Sequence, residues 1–381
     1  MQTLSIADLG VRQQTGVSEL SATVRRGDHS QDLYFRTTHS PVATSADPFV
    51  PAVLLPAMRA GFDIHIDAPV STAILASAER VQEVEAAWNI PWHLIKIDAE
   101  NSAHTGEHTG SNGAVAAFFS GGVDSFYTLQ KHLDEITHLV FVSGFDIPLG
   151  RSDARELAMR QLRKVSEAVG LPLIEVETNL RDFSDGLNFS WEPQHGAALA
   201  AVAHFLAPGF DKIYFPSSFA LPFLLPFGSH PGLDPLWGSS SLEINHDGIE
   251  ATRFDKLGAL SDWDLALQNL RVCWQVVEGR YNCCRCRKCL WTMAFLRSFG
   301  VLECATCFPC ELDLQALGRQ HADQYEQRYR LFQAISHIES MGGDPELVDA
   351  LHKVLQQKPP QRRPRWRRAL GRLKASIRKR K

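Results

Sequence analysis

The hydrophobic pattern changes period sharply between Ala114 and Leu129. Six apolar or small residues, Ala114 to Phe119, form a run suited to a buried strand, and apolar positions from Val123 onward recur at helical spacing. From there strands and helices alternate: strand 114–119, helix 123–134, strand 138–143, helix 153–169, strand 171–176, helix 195–206, strand 212–216. That alternation predicts an α/β, doubly wound parallel sheet with helices on both faces. Ahead of it, residues 18–38 alternate in hydrophobicity around Gly27-Asp28-His29-Ser30, which reads as a β-hairpin. A helix over 49–62, a strand over 63–67, an amphipathic helix over 70–88 and a strand over 93–98 complete the N-terminal pattern.

These elements suggest an N-terminal α+β domain (1–112), a nucleotide-type α/β domain (113–300), a helical region (301–357) and a basic tail (358–381). The polar stretch 100–113 is the natural linker. Residues 215–241, rich in Pro, Gly and Ser and without periodicity, read as a long active-site loop. Helices are expected near 290–299, 323–341 and 345–356. No internal repeat is evident. Met1 to Gly10 has no charged-plus-apolar leader pattern, and Phe219 to Phe227 is broken by Pro222 and Pro226, so a cytoplasmic location is the expectation.

Charge divides the chain unequally. Twelve of its 39 lysines and arginines, and none of its 43 acids, lie in 358–381, so the tail is strongly basic and the remainder sits near −16. Within the tail Trp366, Leu370, Leu373 and Ile377 are spaced for an amphipathic helix. Such a helix can lie on an anionic membrane surface, grip RNA or dock on the acidic body, while a solvated, disordered tail is the plainer alternative.

The turn Ser120-Gly121-Gly122-Val123-Asp124-Ser125 falls between a strand end and a helix N-terminus. There, unpaired N–H groups and the positive end of the helix dipole can hold an anion. Glycines let a phosphate approach the main chain, the two serines add hydroxyl donors, and Asp124 offers a carboxylate to a metal such as Mg2+. No Gly-Lys-Ser/Thr follows, so this is not a Walker loop. An ordinary Gly-Gly turn before a helix is the bland alternative.

All eight cysteines lie between Cys273 and Cys310. Cys273, Cys283, Cys286 and Cys289 have the C-x9-C-x2-C-x2-C spacing of a closed thiolate site, best suited to structural Zn2+, with iron–sulfur ligation or free cysteines as alternatives. Arg285, Arg287 and Lys288 would lower the thiol pKa values and offset the site's negative charge. Cys284 reads as a small packed residue. Cys304, Cys307 and Cys310 suit an iron–sulfur cluster, sulfur relay or plain packing.

The six residues Ser120–Ser125 resemble the PP-loop of the ATP pyrophosphatases. Followed by this cysteine spacing, they resemble the 7-cyano-7-deazaguanine synthase family across roughly 114–299. The resemblance implies a Rossmann-like PP-loop domain that binds ATP and adenylates a carboxylate or amide oxygen for amide or nitrile formation, releasing AMP and pyrophosphate. It implies that Ser120–Ser125 hold the pyrophosphate, with Asp124 and Ser125 as the catalytic pair, and that zinc is structural. It also implies recognition of adenine by main-chain groups at the end of the second strand, 141–143. The family's substrate loop carries a Ser-Gly-Tyr-Pro-Asp-Cys-Arg-like run; this chain has Gly228-Ser-His-Pro-Gly-Leu-Asp234-Pro-Leu-Trp237 instead. The purine-recognising residues are therefore unmatched.

On the substrate side, His195 reads as a contact at the start of a helix or as a capping-region residue. Asp234 could accept from a substrate amine or hydroxyl and Trp237 could stack, or both could simply build the turn. Arg253 and Lys256 could offset triphosphate charge, with solvated surface as the alternative for Lys256. The expected partners are ATP and a small-molecule acceptor, with a homodimer among the expected assemblies. The competing expectation is an ATP-dependent sulfur-inserting enzyme acting on tRNA.

Overall fold

A computed structural model describes residues 2–89, 91–102, 113–275, 277 and 279–358. The elements expected in 359–381 and most of the linker therefore lie outside the described residues. By its internal packing the described chain forms one unit to Leu312 and a second from Asp313.

The first unit is α/β and is built on one ten-stranded, mostly parallel sheet. In chain order its elements begin β1 (Thr3–Gln14), β2 (Val17–Arg26), β3 (His29–Thr37), α1 (Phe49–Ala60), β4 (Asp63–Ser71), α2 (Thr72–Trp88) and β5 (Ile97–Ser102). Then follow β6 (Val115–Phe118), α3 (Val123–Lys131), β7 (His138–Ser143), α4 (Ser152–Val169), β8 (Leu173–Thr178), α5 (Leu180–Gly186) and α6 (Trp191–Leu206). The unit is completed by β9 (Lys212–Pro216), β10 (Glu243–Asp247), α7 (Arg253–Leu260), α8 (Asp264–Asn269) and α9 (Arg287–Ser298). Strand order is β10-β9-β6-β7-β8-β3-β2-β1-β4-β5.

The hairpin read from sequence forms, with Arg26 opposite His29 across the two-residue turn Gly27-Asp28. Its second strand continues the sheet: Phe35, Arg36 and Thr37 pair antiparallel with Thr178, Glu177 and Val176 of β8. The N-terminal strands and β6–β10 thus share one hydrogen-bonded sheet. Their cores also merge, since Leu20, Phe35 and Val53 belong to the same buried cluster as Ala116, Phe118, Val140, Val142, Ile213 and Phe215. The alternate residues Ala117, Phe119, Leu139, Phe141 and Tyr214 are also buried but lie outside that cluster. Both faces of the central strands are therefore covered, which is why their sequences read as continuous apolar runs.

The order β10-β9-β6-β7-β8 places β6 where the connections change direction: the chain goes outward through β7 and β8, then crosses to β9 and β10 on the other side. Ligands in open α/β sheets collect beyond the strand C-termini at such a point. Ser120 to Ser125 occupy it.

The loop after β9 contains only short 3-10 turns, at Leu221–Phe223 and Asp234–Trp237. It is anchored by main chain packing on main chain: a Cβ on Gly196 would stand 1.8 Å from Gly228 O, and one on Gly228 2.4 Å from Glu192 O. The second unit holds α10 (Leu314–Gly318), α11 (Tyr325–Ser340) and α12 (Pro345–Gln356). Among the described residues no helix is long and apolar enough to cross a membrane.

Candidate functional site

The turn after β6 has the backbone its glycines allow. Gly121 sits at φ +75°, and a Cβ there would meet the Tyr281 hydroxyl at 3.1 Å and Leu162 at 3.2 Å. Gly122 is the extended residue preceding α3 and gives it no side-chain cap. The N–H groups of Val123, Asp124 and Ser125 precede the first intrahelical bond, from Phe126 N–H to Gly122 O at 3.0 Å. They form the donor cluster that a helix N-terminus offers an anion. Ser120 Oγ accepts from Gly122 N–H at 3.3 Å, and the buried Ser125 hydroxyl donates to Gly122 O at 3.0 Å. Both serines brace the turn.

Asp124 faces two cations. Arg253 donates to one carboxylate oxygen, and the Lys256 ammonium lies 3.4 Å from the other while donating to Ser217 O at 2.6 Å. Burial alone would raise the Asp124 pKa, but Arg253 and then Lys256 outweigh it and hold the carboxyl at about 2. A protein-held Mg2+ needs free carboxylate oxygens. Since both Asp124 oxygens are engaged by cations, the expected Asp124–Mg2+ site does not fit these residues, and no step is assigned to it.

Two further basic residues join this cluster. Arg271 is tied to the turn itself: its N–H donates to Gly121 O at 2.6 Å, its Nε to Ser120 O at 3.2 Å, and its guanidinium lies 3.4 Å from Asp146. Lys288 has its pKa pulled down, chiefly by desolvation and then by Arg253, while Asp146 and Asp124 pull the other way. The rim of the turn thus carries Arg253, Lys256, Arg271 and Lys288 against Asp124 and Asp146. This surplus of cations is what a polyanion requires.

The four cysteines converge. Cys273, Cys283, Cys286 and Cys289 are buried, with their ligand atoms all within 4.8 Å of one another. Sulfur separations of 4.0 Å (Cys273–Cys286), 3.8 Å (Cys283–Cys289) and 3.5 Å (Cys286–Cys289) bracket the tetrahedral edge of about 3.8 Å that Zn–S bonds of ~2.3 Å require. Cys283 Sγ also accepts from the N–H groups of Cys286 at 3.2 Å and Arg285 at 3.5 Å. Cys286 and Cys289 start α9, where the helix dipole favours thiolates. The cluster can hold a metal ion such as zinc as a closed, structural shell.

This knuckle is wired to the turn. Asn282, fully buried, accepts from the N–H groups of Val272 and Cys273 and donates to Leu270 O and Cys307 O. It fixes the 270–273 segment, and Arg271 in that segment holds Gly121. Cys307 is not part of the knuckle: its thiol donates to Leu267 O, and burial pushes its pKa to about 12. Cys304 is exposed, and Cys284 is buried at φ +57°.

The substrate-side residues are dispersed. His195 lies in the second turn of α6, because the helix starts at Trp191 rather than at His195; its Nδ1 meets Glu192 O at 2.9 Å, and burial lowers its pKa. Asp234 is buried, accepting from Ser229 at 2.6 Å and paired with His246 at 2.7 Å. Trp237 is 2% exposed and belongs to the hydrophobic core, so no ring face is open for stacking. Ser143, at the expected adenine-facing strand end, donates to Glu175 at 2.7 Å. Of the substrate-side residues singled out in the sequence, Arg253 and Lys256 join the 120–125 turn. Arg271 and Tyr281 had no signal of their own beyond lying two residues before a cysteine.

A scan against protein-family models found no match, and searches of curated proteins and of solved structures found no similar chain.

Proposed function

We propose that the protein is an ATP-dependent adenylating enzyme that activates a carboxylate or amide oxygen for attack by a nitrogen nucleophile, releasing AMP and pyrophosphate. The observation that carries this reading is the uncapped glycine turn between β6 and α3, rimmed by Arg253, Lys256, Arg271 and Lys288. The donors of Val123–Ser125 would bind the pyrophosphate half of ATP. Negative charge grows there as the α-phosphorus bond to the leaving group breaks, and preorganised donors and cations stabilise it where it forms. Arg253 and Lys256 would exchange part of their bond with Asp124 for phosphate oxygens, leaving Asp124 to keep both side chains aimed at the turn. The metal knuckle supplies no chemistry in this scheme; bound zinc would hold the segment carrying Arg271 in place.

The second reading, ATP-dependent sulfur insertion into tRNA, gains no support from Cys307, whose buried thiol donates to Leu267 O. The acceptor should be sought by ATP–pyrophosphate exchange with a panel of small carboxylic acids and amides. Exchange in the intact protein that falls at least a hundredfold in Arg253→Gln is the expected result. Absence of both ATP binding and AMP production in the metal-loaded protein would overturn the assignment.

A further inference from the structure

Tyr281 has a hydroxyl without a use in the protein as it stands. Tyr34, Tyr127 and Tyr214 each donate to a carboxylate: Glu177 at 3.1 Å, Glu250 at 2.9 Å and Glu135 at 2.5 Å. The Tyr281 hydroxyl is shielded from solvent and has no hydrogen-bond partner among the described residues. It lies 3.1 Å from where a Cβ on Gly121 would stand, on the turn that begins the anion cradle. Native proteins rarely leave a buried donor unmade, because the hydrogen bond lost to water is not replaced. A donor kept there, against a glycine turn and beside Arg271, is explained when a ligand arrives to accept from it.

We propose that Tyr281 is a ligand-binding residue of the 120–125 turn, donating its hydroxyl to a phosphoanhydride oxygen held by the loop. The inference rests on reading that turn as an anion cradle and names one further contact within it. The chemistry fits a phosphate oxygen better than a cation: a phenol carries its proton at neutral pH and donates it to an acceptor. The other atoms nearest to where a Cβ on Gly121 would stand are Leu162 Cδ2 at 3.2 Å and Arg271 Cβ at 3.5 Å. The residue is delivered by the metal knuckle: Tyr281 precedes Asn282 and Cys283, and Asn282 pins them to residues 270–273, which include Arg271. The knuckle therefore presents two groups to the turn, the Arg271 main chain on Gly121 O and the Tyr281 hydroxyl beside it.

The test is titration of inorganic pyrophosphate into the metal-loaded protein by calorimetry, with Tyr281→Phe beside the parent. The ring stays in place and only the hydroxyl goes. The expected result is about tenfold weaker pyrophosphate binding, the loss of one hydrogen bond to a charged acceptor. Metal content should be unchanged, and the ligand-free melting temperature equal or higher, since an unsatisfied buried group has been removed. A hydroxyl with a purely structural role gives the reverse pattern, a lower melting temperature with unchanged affinity, and that outcome would overturn the proposal. Equal affinity with equal stability would overturn it too. If the parent binds neither pyrophosphate nor ATP, the cradle reading itself fails, and with it the proposed function. Should Tyr281→Phe not fold, Tyr281→Leu is read by the same criteria.

Discussion

Glu85 shows how much one buried carboxyl can impose on the fold. It is 2% exposed near the end of α2 and lines a cleft of about 140 Å³ with Asn89, Glu192, Pro193, Pro226, Phe227 and Gly228. Asn89 donates to one oxygen at 2.6 Å, but burial dominates and raises the pKa to about 7. The unfolded chain loses this proton near 4.5, so between pH 4.5 and 7 the folded state retains a proton that the unfolded state has released. Stability attributable to Glu85 is therefore full below 4.5 and falls as pH rises to 7, by about 3 kcal/mol. Glu85→Gln, which keeps an acceptor for Asn89, should raise stability by about that amount at pH 8 and leave it unchanged at pH 4. Urea melts at the two pH values check this, and equal parent and variant curves at pH 8 would refute it. At this scale the sequence was legible where chemistry is local: Ser120–Ser125 and the four cysteines lie close along the chain and meet in space. It was illegible where partners are far apart. Ser120 and Arg271 are 151 positions apart, and neither residue's type announces the other. Trp237 misled because its loop context suggested exposure, whereas the loop packs down and buries it.

Elements followed the same logic. The central strands and the helices α1, α2, α4 and α12 were read within a few residues of their observed ends, since their periodicity reflects which faces are covered. β1 was missed because its second half, ending Arg12-Gln13-Gln14, is polar and mostly exposed. β10 was missed because Ile244 is its one apolar residue. α7 carried a signal that went unused: Thr252 and Asp255 form a capping box, and the helix it starts presents Arg253 and Lys256 to the turn. The knuckle before α9 yields the prediction proper to this scale. Because its four thiolates close a site that the unfolded chain lacks, metal binding is folding free energy. Cys286→Ser should lose the metal and several kcal/mol of stability. Since Arg271 lies in the segment that Asn282 fixes, pyrophosphate affinity should fall with it. Elemental analysis, thermal melts and calorimetry on one preparation measure all three. Metal loss with undiminished pyrophosphate binding would show that the knuckle and the turn are independent.

At the scale of the molecule, composition pointed to a break at the polar stretch 100–113, yet the sheet runs from one side of it to the other. The strands before the break meet those after it at β3 and β8, through Phe35–Thr178, Arg36–Glu177 and Thr37–Val176. Side chains reinforce the seam: Arg36 bonds Glu177 at 3.2 Å, and Asn179 donates to Asp32 O at 2.7 Å while accepting from Tyr34 N–H at 3.1 Å. Sequence showed the two patterns but not their union, because strand pairing across 140 residues leaves no periodic mark. Cutting the backbone within 103–112 would leave a bare strand edge on each fragment, an invitation to aggregation. Expressed alone, each fragment should be insoluble; expressed together, they should co-purify as a stoichiometric complex on size-exclusion chromatography. Two soluble, non-associating fragments would contradict this. A chimera joined at that point would inherit the same obligation, to supply a matching register along a shared border. Modularity is thus withheld at the very junction where the gene looks easiest to divide.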